Sequence, residues 1–147
     1  EVKLKARKLV EITYEAMMRG IEMIKPGNTT GDIGHAIQSF AEKNNYSVVR
    51  DFCGHGLGKV FHDQPSILHF GSPGEGEVLS QGMFFTVEPM INIGDYKVKI
   101  LSDGWTAVTS DKSLSAQFEH SIGVTHNGYE IFTQSQKKYT FPPYIEK

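Results

Sequence analysis

Cysteine is almost missing from this 147-residue sequence. Cys53 stands alone, so no intrachain disulfide can form, and a reducing, cytoplasmic setting is expected. Long apolar runs are missing too: nothing could span a bilayer and nothing resembles a signal-peptide core, so no membrane partner is expected. No stretch concentrates Lys and Arg as a nucleic-acid surface would, and the net charge is −2, so no nucleic-acid partner is expected either. The basic residues near the start (Lys3, Lys5, Arg7, Lys8) are interleaved with Val2, Leu4, Ala6 and Leu9, and read as the solvated side of a helix. No arginine lies beyond Arg50, so a carboxylate buried later in the chain must find its cation elsewhere. Internal repeats, low-complexity segments and linkers are absent, which argues for one domain.

What is present falls into two parts. From Val2 to Ile24, Leu9, Ile12, Ala16, Met17, Ile21 and Ile24 recur at helical spacing, and Pro26-Gly27 ends the pattern. Thr30 is the expected N-cap of a second helix, with Asp32 in its first turn, an apolar stripe of Ile33, Ile37, Phe40 and Ala41, and a stop at Asn44-Asn45. The period then changes. Strands are expected at 46–52, 83–87, 96–101, 105–109 and 117–125, with Gly54 to Gly58 as a turn or loop and Phe141-Pro142-Pro143-Tyr144 as an extended tail. Helices followed by strands give an α+β class. The sequence starts at Glu1 with a helix-like pattern at once, which leads us to expect a segment ahead of it.

Three segments could carry chemistry. In Cys53-Gly54-His55-Gly56-Leu57-Gly58, followed by Phe61-His62-Asp63, glycines flank the imidazole and leave it unobstructed. A phosphate loop would need a following Gly-Lys-Ser/Thr, which is not there. Alone, the segment reads as well as a histidine hydrogen-bonded in a structural turn. In Phe84-Phe85-Thr86-Val87-Glu88-Pro89-Met90, Glu88 ends an apolar strand-forming run and is expected to be partly buried, a costly position without a cation or donors. In Ser115-Ala116-Gln117-Phe118-Glu119-His120-Ser121, alternation puts Ser115, Gln117, Glu119 and Ser121 on one face, which alone reads as the wet side of an antiparallel sheet. Together, His55, Glu88 and Glu119 supply one imidazole and two carboxylates, a donor set suited to divalent Mn, Fe, Co or Zn. His35, His69 and His126 read as structural or exposed.

These segments, in this order, resemble the type I methionine aminopeptidases of the pita-bread metallopeptidase family. The matching strings are Gly54-His55-Gly56-Leu57-Gly58 with Phe61-His62, Phe85 to Met90, Asp103-Gly104-Trp105-Thr106 and Ser115 to His120, closed by Val124-Thr125 and Gly128 to Ile131. The resemblance covers nearly the whole chain. It implies His55 and Glu88 as terminal ligands of one metal ion, Glu119 as a bridge between two divalent ions, and His62 as a hydrogen-bond partner of the scissile amide. Glu88 would also shuttle the proton. Phe61, Met90, Trp105 and Gln117 would lie around the pocket for the substrate's methionine, together with His62. The implied function is removal of the initiator methionine from the N-terminal methionyl peptides of nascent chains.

The departure from the family's pattern is equally specific. Its remaining ligands are two aspartates, accompanied by a further catalytic histidine, in an N-terminal half that has no counterpart here; Asp95 and Asp103 fall in the wrong places. The resemblance therefore implies that residues 1–147 are the C-terminal half of one pita-bread catalytic domain, two helices packed on a curved antiparallel sheet. Such a half is expected to be inactive alone, to hold at most one loosely bound ion, to pair with the missing half, and to be a monomer when complete. The alternative is a non-catalytic pita-bread module that binds a protein partner.

Overall fold

In the computed structural model, which describes residues 2–137 and 140–142, α1 (Leu4–Glu22) buries Leu9, Ala16, Met17 and Ile21 along one side. Its wet side carries Arg7–Glu11 and Glu15–Arg19 pairs at i,i+4, each 2.9 Å. The helix ends ahead of Pro26, and Gly27 turns the chain with φ of 91°. The next helix, α2 (Thr30–Lys43), is capped by Thr29 and not by Thr30 as expected. Thr29 Oγ1 accepts from the Asp32 N–H at 3.3 Å while Asp32 accepts from the Thr29 N–H at 2.7 Å, so the capping box selects the residue three before Asp32. Thr30 takes another job: its hydroxyl accepts from the Glu77 N–H at 3.1 Å and ties down the loop that follows the site. Gly20 lets the two helices close up, since a Cβ there would stand 2.6 Å from the Ile37 side chain.

Ten short strands follow. They are β1 (Ser47–Val48), β2 (Gly54–Gly56), β3 (Asp63–Ile67), β4 (Phe84–Val87), β5 (Met90–Asn92), β6 (Val98–Ile100), β7 (Ala107–Thr109), β8 (Ser115–Gln117), β9 (His120–Val124) and β10 (Tyr129–Ile131). Five form an antiparallel sheet in the order β10-β9-β4-β2-β3; β1-β5-β8 form a second sheet, and β6-β7 a hairpin. The helices α1 and α2 lie on one side, α1 against β4, β5 and β8, and α2 against β1 and β3. Met17, Ile21, Ile33, Ile37, Ile67, Phe85, Ile91 and Ile122 fill one core, each with no exposed area. Tyr14 meets Phe118 and Phe141 edge-on at the rim of that core. Within the expected tail, Pro143 and Tyr144 lie outside the described residues.

Two departures from the expected strands bear on the site. Gly54 to Gly56 is no loop but a strand in the interior of the five-stranded sheet. Its glycines serve close approach: a Cβ on Gly54 would collide with the Thr86 carbonyl oxygen, and one on Gly56 with that of Gln64. The expected strand at 117–125 is split, β8 pairing with β5 and β9 with β4. Val87 faces His120 and Met90 faces Gln117, one register running through both sheets. Continued across the two unpaired positions, that register puts Glu88 across from Glu119 and Pro89 across from Phe118, and the Glu119 charge is felt at Glu88. Proline has no N–H to give the ladder, so the sheet breaks and bends there.

Substituting Gly56 by Ala is expected to lower stability by about 1–3 kcal/mol, because the collision is with backbone and not with a movable side chain. Urea unfolding monitored by circular dichroism checks this, and parent-like stability would contradict the close-approach account.

Candidate metal centre

β2 carries His55 into an open cleft of about 500 Å³, lined among others by Phe52, Cys53, His62 and Met90, with Glu88 on the neighbouring strand pair. The backbone N–H of His55 donates to Thr86 Oγ1 at 3.0 Å. Its ring Nδ1 lies 3.0 Å from the Gly56 carbonyl oxygen. A carbonyl only accepts, so Nδ1 carries a proton and Nε2 is the ring atom left to meet a ligand. That Nε2 lies 3.7 Å from Glu88 Oε1. The separation is too long for a hydrogen bond and close to that of two ligands sharing one ion. Both side chains are mostly shielded, with 14% and 18% of their areas exposed.

Glu88 is held at three further points. Thr86 Oγ1 donates to Oε1 at 2.7 Å, Gln117 Nε2 donates to the backbone carbonyl at 3.1 Å, and the Glu88 N–H donates to His69 Nε2 at 3.1 Å. Burial pushes the Glu88 carboxyl above its ordinary range; the Thr86 hydroxyl opposes this, Glu119 across the broken step adds to it, and His55 and His62 oppose it. Loss of solvation and a facing carboxylate both disfavour the anion, and a cation between the two would reverse both effects. With the free ring nitrogen of His55 3.7 Å from that carboxylate, these residues are of the type and spacing that suit a divalent ion. Among the described residues no three His, Cys, Asp or Glu side chains are gathered tightly enough to hold an ion by themselves.

The fold and the register together raise the question of kinship. Residues 1–126 match metallopeptidase family M24. The chain belongs to that family. It is 64% identical over 146 residues to the methionine aminopeptidase of Rickettsia prowazekii, which takes in 98% of this chain and 56% of that protein. To the methionine aminopeptidase of Salmonella typhimurium it is 50% identical over 138 residues, 94% of this chain and 52% of the other. The crystal structure of the Rickettsia enzyme superposes with a TM-score of 0.89 at 63% identity, over 90% of this chain and 54% of that one. A prolidase from Pyrococcus furiosus gives 0.68 at 26% identity, over 92% of this chain and 34% of that one. The α+β pita-bread architecture is thus the fold of this M24 chain, and the chain spans about half the length of the methionine aminopeptidases it matches.

The structure brings most of the expected site residues together. His62 stacks edge-on against His55 with ring centroids 4.4 Å apart, and Phe61 lies against both rings at 4.7 and 5.5 Å. Met90 lines the cleft, and Gln117 reaches Glu88 from the facing strand. Glu119 stands opposite Glu88 but is exposed. Trp105 is not gathered in: it sits on the turn between β6 and β7, 89% exposed, and does not line the cleft. Phe61 is also open, at 75% exposed. Two contributors escaped the sequence reading. Thr86 is visible in hindsight, because it shares a strand face with Glu88 two residues on. His69, expected to be structural or exposed, is structural at 1% exposed, and nothing in its local sequence signals the partner it meets.

Burial pulls the pKa of His69 from the ordinary 6.5 to about 3, so it stays neutral and accepts from Glu88. Between those values the unfolded chain binds a proton that the folded chain refuses. Folded stability is therefore full above pH 6.5 and is lost as pH falls towards 3, with a slope of up to about 1.4 kcal/mol per pH unit. His69→Gln should remove this slope, so the stabilities of parent and variant converge on acidification. Urea titrations from pH 7 to pH 4 check it.

Proposed function

We propose that this chain carries part of the active centre of a metal-dependent aminopeptidase that removes the initiator methionine from nascent proteins. The single observation that carries the reading is the pair of carboxylates, Glu88 and Glu119, facing across a broken ladder with His55 Nε2 3.7 Å from the first. Two divalent ions in the complete enzyme (Mn, Fe, Co or Zn) would supply a polarised peptide carbonyl and an acidified water. His55 and Glu88 would hold one ion, and Glu119 would bridge to the second.

Glu88 is the proton shuttle in this scheme. A carboxylate on the cleft wall beside His55 and His62 is placed to take a proton and give it to the departing amine. His62, beside His55 on the cleft wall, would hydrogen-bond the scissile amide and steady the charge that develops on it. Phe61, Met90, Gln117 and Trp105 would enclose the methionine side chain once the exposed aromatic residues are covered. The cover, with the remaining ligands, would come from a further segment of the same domain, since the matched relatives are about twice as long as the aligned region. The complete protein would act as a cytoplasmic monomer.

Release of methionine from a Met-Ala-Ser peptide, with Mn, Co or Fe supplied, tests the proposal. A protein containing this chain and the remaining half should release methionine, and Glu88→Gln should slow it by at least about 100-fold. The 147 residues alone should release little or none. Inactivity of the complete protein in every metal would leave the non-catalytic binding module as the reading.

A further inference from the structure

Thr86 is only 1% exposed, in mid-strand between Phe85 and Val87, where a valine of the same shape would fill the space. A hydroxyl buried at such a place costs free energy unless both its functions are used. Here both are. Its oxygen accepts from the His55 N–H at 3.0 Å, and its proton goes to Glu88 Oε1 at 2.7 Å. One atom therefore joins the backbone that carries the imidazole to the carboxylate that faces it. The sheet alone makes no such link: β2 and β4 pair at Gly56–Phe85, and the ladder of β4 with β9 stops at Val87.

The consequence follows from counting protons. The Thr86 hydroxyl has one hydrogen, and the His55 N–H, a donor, occupies a lone pair on its oxygen. The hydrogen is then directed at Glu88, which fixes that carboxylate's rotation and makes Oε1 an acceptor. His55 Nε2 lies 3.7 Å from the same Oε1. Gln117 Nε2 approaches the other oxygen at 3.4 Å. The two ends of the carboxylate thus have different surroundings before any ion arrives.

We propose that Thr86 is a positioning residue for cation binding: it presets the spacing of His55 and Glu88, so that an ion meets two ligands already aligned. The inference rests on the metal-centre reading above and adds a residue outside the expected ligand and pocket sets. It makes Thr86 neither a ligand nor a catalytic residue.

Thr86→Val keeps the shape and removes the hydroxyl, and Thr86→Ser keeps the hydroxyl. Isothermal titration of the 147-residue chain with Mn²⁺ should show Val weakening the affinity by about 10-fold or more, the range typical of groups that orient a ligand. Ser should stay within about 3-fold of the parent. Val binding as tightly as the parent would overturn the proposal, as would Ser failing to rescue. A second measurement needs no metal. In the metal-free chain, the side-chain order parameter of the Glu88 γ-methylene should fall in Thr86→Val and hold in Thr86→Ser. An unchanged value in Thr86→Val would overturn the proposal. A parent chain that binds no Mn²⁺ would count against the metal-centre reading, and this metal-free comparison would then decide the role of Thr86 by itself.

Discussion

Two carboxylates, Glu88 and Glu119, face each other where a pair of antiparallel strands loses its ladder, and the cleft is arranged around that confrontation. Like charges directly opposite one another destabilise a sheet. Among the described residues neither Glu88 nor Glu119 is paired with a Lys or Arg. The sheet tolerates the arrangement because Pro89 has already released the strands from each other there. It also meets Glu88 with donors from Thr86 and Gln117. A break that would be a defect elsewhere is where the proposed cation would sit.

The rest of the fold keeps that place still. The helices bury one face of the curved sheet through Phe85, Ile91 and Ile122, leaving the other free for His55, Thr86 and Glu88. Gly54 and Gly56 bring the β2 backbone close to Thr86 and Gln64 and so fix where the His55 backbone lies. His69, buried and neutral, takes the N–H that the interrupted ladder leaves without a strand partner. Packing and site are thus one construction, because the residues that steady Glu88 come from four separate stretches of chain.

Much of this was legible in the sequence. Helical spacing found α1 and α2, since both bury a continuous apolar stripe. The donor set of His55, Glu88 and Glu119 was visible as residue types, and their order with the flanking strings carried the family. What escaped was fixed by long-range geometry. Gly-His-Gly looked like a turn because glycine signals conformational freedom, whereas here it answers the nearness of two other strands. The opposition of Glu88 and Glu119 depends on register, which no local pattern encodes. Trp105 keeps its place in the family's pattern, yet stands in the open on the turn between β6 and β7, away from the cleft.

The central claim is that the opposed carboxylates are held for a cation, and the thermal stability of Glu119→Gln with and without Mn²⁺ tests it most directly. Without metal, removing one of two facing charges should raise the melting temperature slightly, by about 2 °C. With Mn²⁺ the order should reverse, the parent gaining stability from the ion and the variant gaining much less. A variant that melts lower than the parent without metal, and gains as much from Mn²⁺, would contradict the account.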